Sequence, residues 1–200
     1  MSSLPLALSP ALEPAFIEAL DPPGKLLAAV AALGQVADRD VLIVDAQGGP
    51  IVAGLGAAGA RVTHAAQLNP LRLDAGDASA DVVLGLWSAF RGVDPGEIAE
   101  VDRVLRPGGR HLVVHDYGRD DVSRLTGDRP EYGVWSQRGG PFLGGGFRVR
   151  VLHCFWEFQS PELLTQFLTA AFGANGASVA ATLKRPRLSY NVAIYHRTRP

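Results

Sequence analysis

Residues 82–116, VVLGLWSAFRGVDPGEIAEVDRVLRPGGRHLVVHD, constrain the fold more than any other part of the chain. Val82, Val83, Leu84 and Leu86 make an almost unbroken apolar run, as a strand needs when both its faces are covered. Asp94 is placed to cap a following helix, Pro95 suits its first position, and Glu97 completes a capping-box pattern. Ile98, Val101 and Leu105 then recur at helical spacing. Pro107 predicts the end of that helix, and Gly108 and Gly109 predict a reversal into a strand through His111, Leu112, Val113 and Val114. Strand, helix and strand in this order predict one right-handed crossover of a parallel sheet, hence an α/β fold.

The flanking segments extend the same pattern. Five prolines among residues 1–23 leave room only for a short helix over 15–20 and predict an N-terminal arm. The Ala- and Leu-rich stretch 24–37 reads as a buried helix leading into a first strand over 41–45, and a second strand is expected over 61–66. Gly54, Gly56 and Gly59 spell GxGxxG, the dinucleotide fingerprint, but the apolar stretch before them is too short for the strand that motif requires. They read instead as part of the first crossover helix, where missing side chains permit close packing against the sheet. Further on, five glycines between 139 and 146 place Pro141, Phe142 and Leu143 on a tip that could serve as a lid or as a plain connection. Residues 148–158 read as an edge strand or cover segment, and Ser160 caps a helix that Gly173 ends. Two last strands, over 177–183 and 188–196, are expected to form an antiparallel pair about Pro186.

With 200 residues, 47% hydrophobic and 20% charged, the chain suits one domain of ordinary size over 1–200, with 1–23 as its arm. The apolar run 26–33 is too short to span a bilayer and has no basic segment before it, so no membrane role and a cytoplasmic location are expected. Cys154, the single cysteine, lies in an aromatic run and reads as a buried, unreactive thiol. A net charge of −1 argues against a nucleic-acid binder. Yet residues 1–120 carry about −6 and the remainder about +5. Such asymmetry suits complementary packing within the chain, head-to-tail association of copies, or an anionic ligand near the C-terminal part; a homodimer is among the expected assemblies.

The string EVDRVLRPGGRHLVVHD, preceded by ADVV at 80–83, closely resembles the helix, turn and fifth strand of class I S-adenosylmethionine-dependent methyltransferases. The resemblance extends over roughly residues 24–196. It implies a Rossmann-like sheet, mostly parallel with a C-terminal antiparallel strand, and S-adenosylmethionine as cofactor. In that family the first strand leads through an acidic residue into a glycine loop, and the second ends in a carboxylate for the ribose diol. Two registers are open here. One puts Ile43 on the acidic position, Asp45 and Gln47 on loop glycines, and keeps Gly49; the other restores Asp45 as the acid and puts Gln47 and Ile51 on loop glycines. The position for the diol carboxylate is Ala66, followed by Gln67. Between Ala66 and Asp81 the chain is too short for the family's third helix and strand, so the sheet is expected to lack that edge strand.

By this resemblance Asp45, Gly48, Gly49, Gln67 and Asp74 are the candidate cofactor contacts. Trp87, Ser88, His115 and Tyr117, at the carboxyl ends of the fourth and fifth strands, are the residues expected to face a substrate, because open α/β sheets bind ligands there. His115 suits a general base, although Asp116 cannot pair with it simply, since neighbours on a strand point to opposite faces. Equally, Asp116 and Asp120 suit loop caps and Trp87 and Phe90 suit core. Two functions lead: a methyltransferase acting on a small molecule, or a degenerate methyltransferase fold kept for binding or dimerisation; a different nucleotide or small-ligand binder using the strand ends stands behind them.

Overall fold

The computed structural model describes residues 4–46, 48–68, 71–127, 129 and 131–200. In chain order the elements are α1 (Glu13–Ala19), α2 (Lys25–Gly34), β1 (Asp40–Val44), α3 (Pro50–Ala57), β2 (Arg61–Ala65), β3 (Gln67–Leu68), β4 (Arg72–Leu73), β5 (Ala80–Leu86), α4 (Pro95–Val104), β6 (Leu105–Asp116), α5 (Asp121–Thr126), α6 (Glu131–Trp135), α7 (Pro141–Gly144), β7 (Arg148–Glu157), α8 (Pro161–Thr182) and β8 (Arg187–Thr198). Six strands form one sheet in the order β2-β1-β5-β6-β8-β7. The pairs β1–β2, β1–β5 and β5–β6 are parallel, while β8 runs antiparallel to both β6 and β7. The α/β, Rossmann-like architecture read from the sequence is therefore the architecture observed, with β2 at the edge where a further strand unit is missing.

The central crossover forms as its residues require. The capping box of Asp94 and Glu97 opens α4, and the Glu97 carboxylate also accepts the Val93 N–H at 3.0 Å. The helix stops at Val104, not at Pro107, because Leu105 already pairs with Ala80. Pro107, Gly108 and Gly109 then form a bulge before Arg110 pairs with Val82, and Gly108 takes a φ of 77°, which suits a residue without Cβ.

Alternation along the strands divides the apolar residues between the two faces. On one face Ile43, Leu84, Leu112 and Val114 pack with residues of α1, α2, α3 and α8. On the other, Leu42, Val44 and Val83 meet Val101 and Val104 of α4, while Val113, Ala193 and Tyr195 meet Trp135, Phe142 and Phe147. Gly54 sits inside α3, where a Cβ would collide with Leu27 of α2. The fingerprint glycine thus serves a helix–helix contact, not the helix–sheet contact expected.

Two segments differ from expectation. Residues 177–182 are helical, the second limb of α8, which bends at Gly173 (φ 61°, ψ −139°). The antiparallel partner of β8 is β7. Two alanines following Val179 favour helix locally, and β7, with Val149, Val151 and a train of aromatics, occupies the edge that residues 177–183 were expected to fill. The glycine-flanked tip is no lid: Phe142 is fully buried, stacked on Tyr195 with ring centroids 3.9 Å apart. In place of the absent third strand unit, Gln67–Leu68 and Arg72–Leu73 form a minimal antiparallel ladder. Asn69 and Pro70, expected in the connecting loop, lie outside the described residues.

Candidate functional site

The carboxyl ends of β1, β5 and β6 surround a cavity of about 410 Å³. Asp45, Trp87, Ser88, Arg91, His115 and Asp116 line it, together with Arg129 and residues 4–7 of the arm. Four residues expected at a functional site, Asp45, Trp87, Ser88 and His115, are thereby brought together.

Their positions follow from hydrogen bonds at the strand ends. Asp45 takes a φ of 61° just past β1 and turns its carboxylate across the sheet. One oxygen accepts the Ser88 hydroxyl at 2.8 Å and the other the Gln67 N–H at 3.2 Å. Ser88 in turn accepts the Phe90 N–H at 3.0 Å. Trp87 is held at a φ of 48°, a conformation unfavourable for a bulky side chain unless its surroundings fix it. The Trp87 N–H donates to the Val114 carbonyl, and its indole Nε1 donates to Asp116 at 2.9 Å.

Asp116 is the hub of the floor. Besides Trp87 it accepts the Tyr190 hydroxyl and, at 3.1 Å, the Tyr132 hydroxyl. Burial, reinforced by the negative charge of Asp116, pushes both phenols well above the usual tyrosine range, so both remain donors. His115 turns to the opposite face, where its ring meets Trp135 edge-on at 4.7 Å. Its Nδ1 accepts the Asp116 backbone N–H at 3.1 Å. The side chains of His115 and Asp116 thus engage separate partners, as strand alternation requires.

The other candidates stand away from this cavity. Tyr117 packs with Val113, Trp135 and Tyr195 on the second face. Gln67 is exposed, and its backbone reaches Asp45. Asp74 is exposed, its N–H donating to the Ala66 carbonyl at 3.1 Å. Gly49, with a φ of 114°, leads into α3, and Gly48 has no heavy atom within 4 Å of where a Cβ would stand. Gln47 lies outside the described residues. Asp120, read as a cap, accepts the Ser123 N–H at 2.7 Å and opens α5. Cys154 is buried, and burial beside Asp21 pushes its thiol up to about 12. Among the described residues no group of His, Cys, Asp and Glu is arranged to hold a metal, and no helix is long and apolar enough to cross a membrane.

Sequence reasoning missed Arg91 and Arg129. Arg91 follows the WSAF segment at the end of β5 and lays its guanidinium over the Trp135 ring, 4.3 Å from the centroid. The only signal was its place just beyond a central strand, because its aromatic partner lies 44 positions away, on α6.

No family model and no curated protein matches this chain in sequence. Solved structures do match it in fold. A protein from Anaeromyxobacter dehalogenans assigned as a type II methyltransferase is 22% identical, with a TM-score of 0.51, over 86% of this chain and 95% of that one. A SAM-dependent methyltransferase from Aquifex aeolicus is 15% identical, with a TM-score of 0.50, over 97% and 100%. A protein from Anabaena variabilis, assigned as a methyltransferase of an antibiotic biosynthesis pathway, is 12% identical, with a TM-score of 0.51, over 90% and 98%. The chain has a class I methyltransferase-like fold.

Proposed function

We propose that the cavity at the carboxyl ends of β1, β5 and β6 is the active site of an S-adenosylmethionine-dependent methyltransferase acting on a small molecule. The observation that carries this reading is the convergence of Asp45, Trp87, Ser88 and His115 on one cavity at the position where open α/β sheets take ligands. The residues fit the polar end of the cofactor. Asp45 offers a fixed carboxylate, no heavy atom stands where a Gly48 Cβ would be, and Gly49 turns the chain into the N-terminal end of α3, where amide N–H groups favour negative charge. When bound, the cofactor would supply a methyl group already activated as a sulfonium. The chain's own work is then positioning: Ser88 and the Gln67 N–H orient Asp45, and Trp87, fixed by Asp116, gives an acceptor a rigid wall.

A second reading, a non-catalytic fold kept for binding, is favoured by the end of β2. Ala65 and Ala66 stand where a diol would need a carboxylate, and the β3–β4 ladder replaces the strand unit beyond. A thermal-shift titration with S-adenosylmethionine and S-adenosylhomocysteine separates the two. At a hundred times the dissociation constant, binding to the folded state adds about 2.7 kcal/mol, or roughly 5–10 °C for a chain of this size. No rise at millimolar ligand overturns the methyltransferase reading.

A further inference from the structure

We infer that the acceptor bound in this cavity carries a carboxylate, anchored by Arg91 and Arg129. The inference rests on the methyltransferase reading of the same cavity and narrows its substrate class. Of the eight ion pairs among the described residues, none involves either arginine. Arg91 is the more telling, because it is half-buried and its Nε is buried with no hydrogen-bond partner. A guanidinium held in that way is costly unless an acceptor arrives.

The carboxylates that share the cavity do not meet this need. Asp45 is engaged by Ser88 and Gln67, and Asp116 by Trp87, Tyr190 and Tyr132. What fixes Arg91 is the face of Trp135, itself braced edge-on by His115 and by Phe142 at 5.8 Å. Cation–π contact engages the face of the guanidinium and not its in-plane N–H groups, and Arg91 borders the cavity. A planar carboxylate matches that fork with two parallel hydrogen bonds. Leu4, Leu6, Leu86 and Trp87 supply apolar walls, so the anion would sit on a small apolar or aromatic body.

The test uses benzoate, phenylacetate and indole-3-acetate with their primary amides as neutral counterparts. Affinity for the full-length protein is measured by calorimetry and ligand-observed NMR, first alone and then with S-adenosylhomocysteine. At least one acid is expected to bind at least about tenfold more tightly than its amide, as a charge-assisted bidentate anchor requires. Arg91→Gln and Arg129→Gln are expected to erase most of that preference, Arg91→Lys to restore part of it, and all three to bind S-adenosylhomocysteine as the unaltered protein does. Acids and amides binding alike, or no acid binding, would overturn the inference. So would a parallel loss of S-adenosylhomocysteine affinity in the arginine variants, which would place the guanidiniums on the carboxylate of the cofactor. The acid-over-amide preference is read without cofactor. Failure of the unaltered protein to bind S-adenosylhomocysteine therefore strikes the methyltransferase reading, and failure of the preference strikes this inference.

Discussion

Asp116 gathers three donors, the Trp87 indole and the Tyr132 and Tyr190 hydroxyls, and each is left without its acceptor if the carboxylate is removed. Asp116→Ala should therefore cost about 2–4 kcal/mol, more than a single lost hydrogen bond, and should free Trp87 from its strained backbone setting. Urea unfolding and Trp fluorescence would check both effects; a loss below about 0.5 kcal/mol would contradict the hub role. His111 makes a second prediction. Burial, aided by the nearby Arg197 charge, lowers its pKa from 6.5 to about 3. The folded protein keeps it neutral where the unfolded chain protonates it, so stability should fall as pH falls from 6.5 towards 3, by at most about 1.4 kcal/mol per unit from this group. His196, also shifted down, adds in the same direction. The depressed carboxylates of Asp81 and Glu100 lose their contributions as pH falls below their ordinary values, 3.8 and 4.5. The slope between pH 6.5 and 4.5 therefore reports on histidine. His111→Asn should flatten it, and an unchanged slope would refute the assignment. The sequence revealed part of the site: Trp87, Ser88 and His115 stood out by their place at strand ends and Asp45 by the family resemblance, whereas Arg91 owes its orientation to a ring on a distant helix.

Arg103 on α4 shows how the shortened connection is secured. It donates to Glu100 at 2.6 Å, to Asp77 at 2.6 Å and to the Ala75 carbonyl at 2.8 Å, while Glu100 accepts the Leu73 N–H at 2.7 Å. One helix turn thus pins residues 73–77 where the missing unit would have packed. Arg103→Ala should raise hydrogen exchange across 72–80 selectively and cost about 1–3 kcal/mol; uniform exchange throughout the sheet would contradict a local clamp. Gly176, on the second limb of α8, and Gly54, inside α3, make a comparison between glycines. A Cβ at Gly176 would collide with the Leu168 backbone carbonyl, whereas at Gly54 it would meet only the branched end of the Leu27 side chain. Gly176→Ala should cost roughly 1–3 kcal/mol and clearly more than Gly54→Ala, as thermal melts would show. Elements with a local signature were legible in the sequence: α4 by its capping box, β5 by its unbroken apolar run. The partner of β8 was not, because strand pairing depends on residues far apart, and the weak alternation at 177–183 competed with alanines that prefer helix.

Across the molecule, the sheet order, one antiparallel strand and three apolar clusters build a rim at which β1, β5 and β6 open together. Ion pairs secure the opposite end, where Arg106 joins Asp40 at 2.8 Å to Asp81 at 2.9 Å across β1 and β5. Residues 4–7 lie along the cavity, so the arm shapes its mouth. The fold was legible because the crossover specified a parallel sheet, while the mouth was not, because no local pattern ties an N-terminal proline-rich arm to the end of β5. On the proposed function, this rim accepts the methyl-donor cofactor despite the alanines at the end of β2. Titration calorimetry of S-adenosylhomocysteine into the unaltered protein and into Asp45→Ala tests it most directly. One-to-one binding is expected, weakened at least about tenfold in the variant by the loss of a charge-assisted contact. Absence of binding to the unaltered protein, or equal affinity in the two, would contradict it.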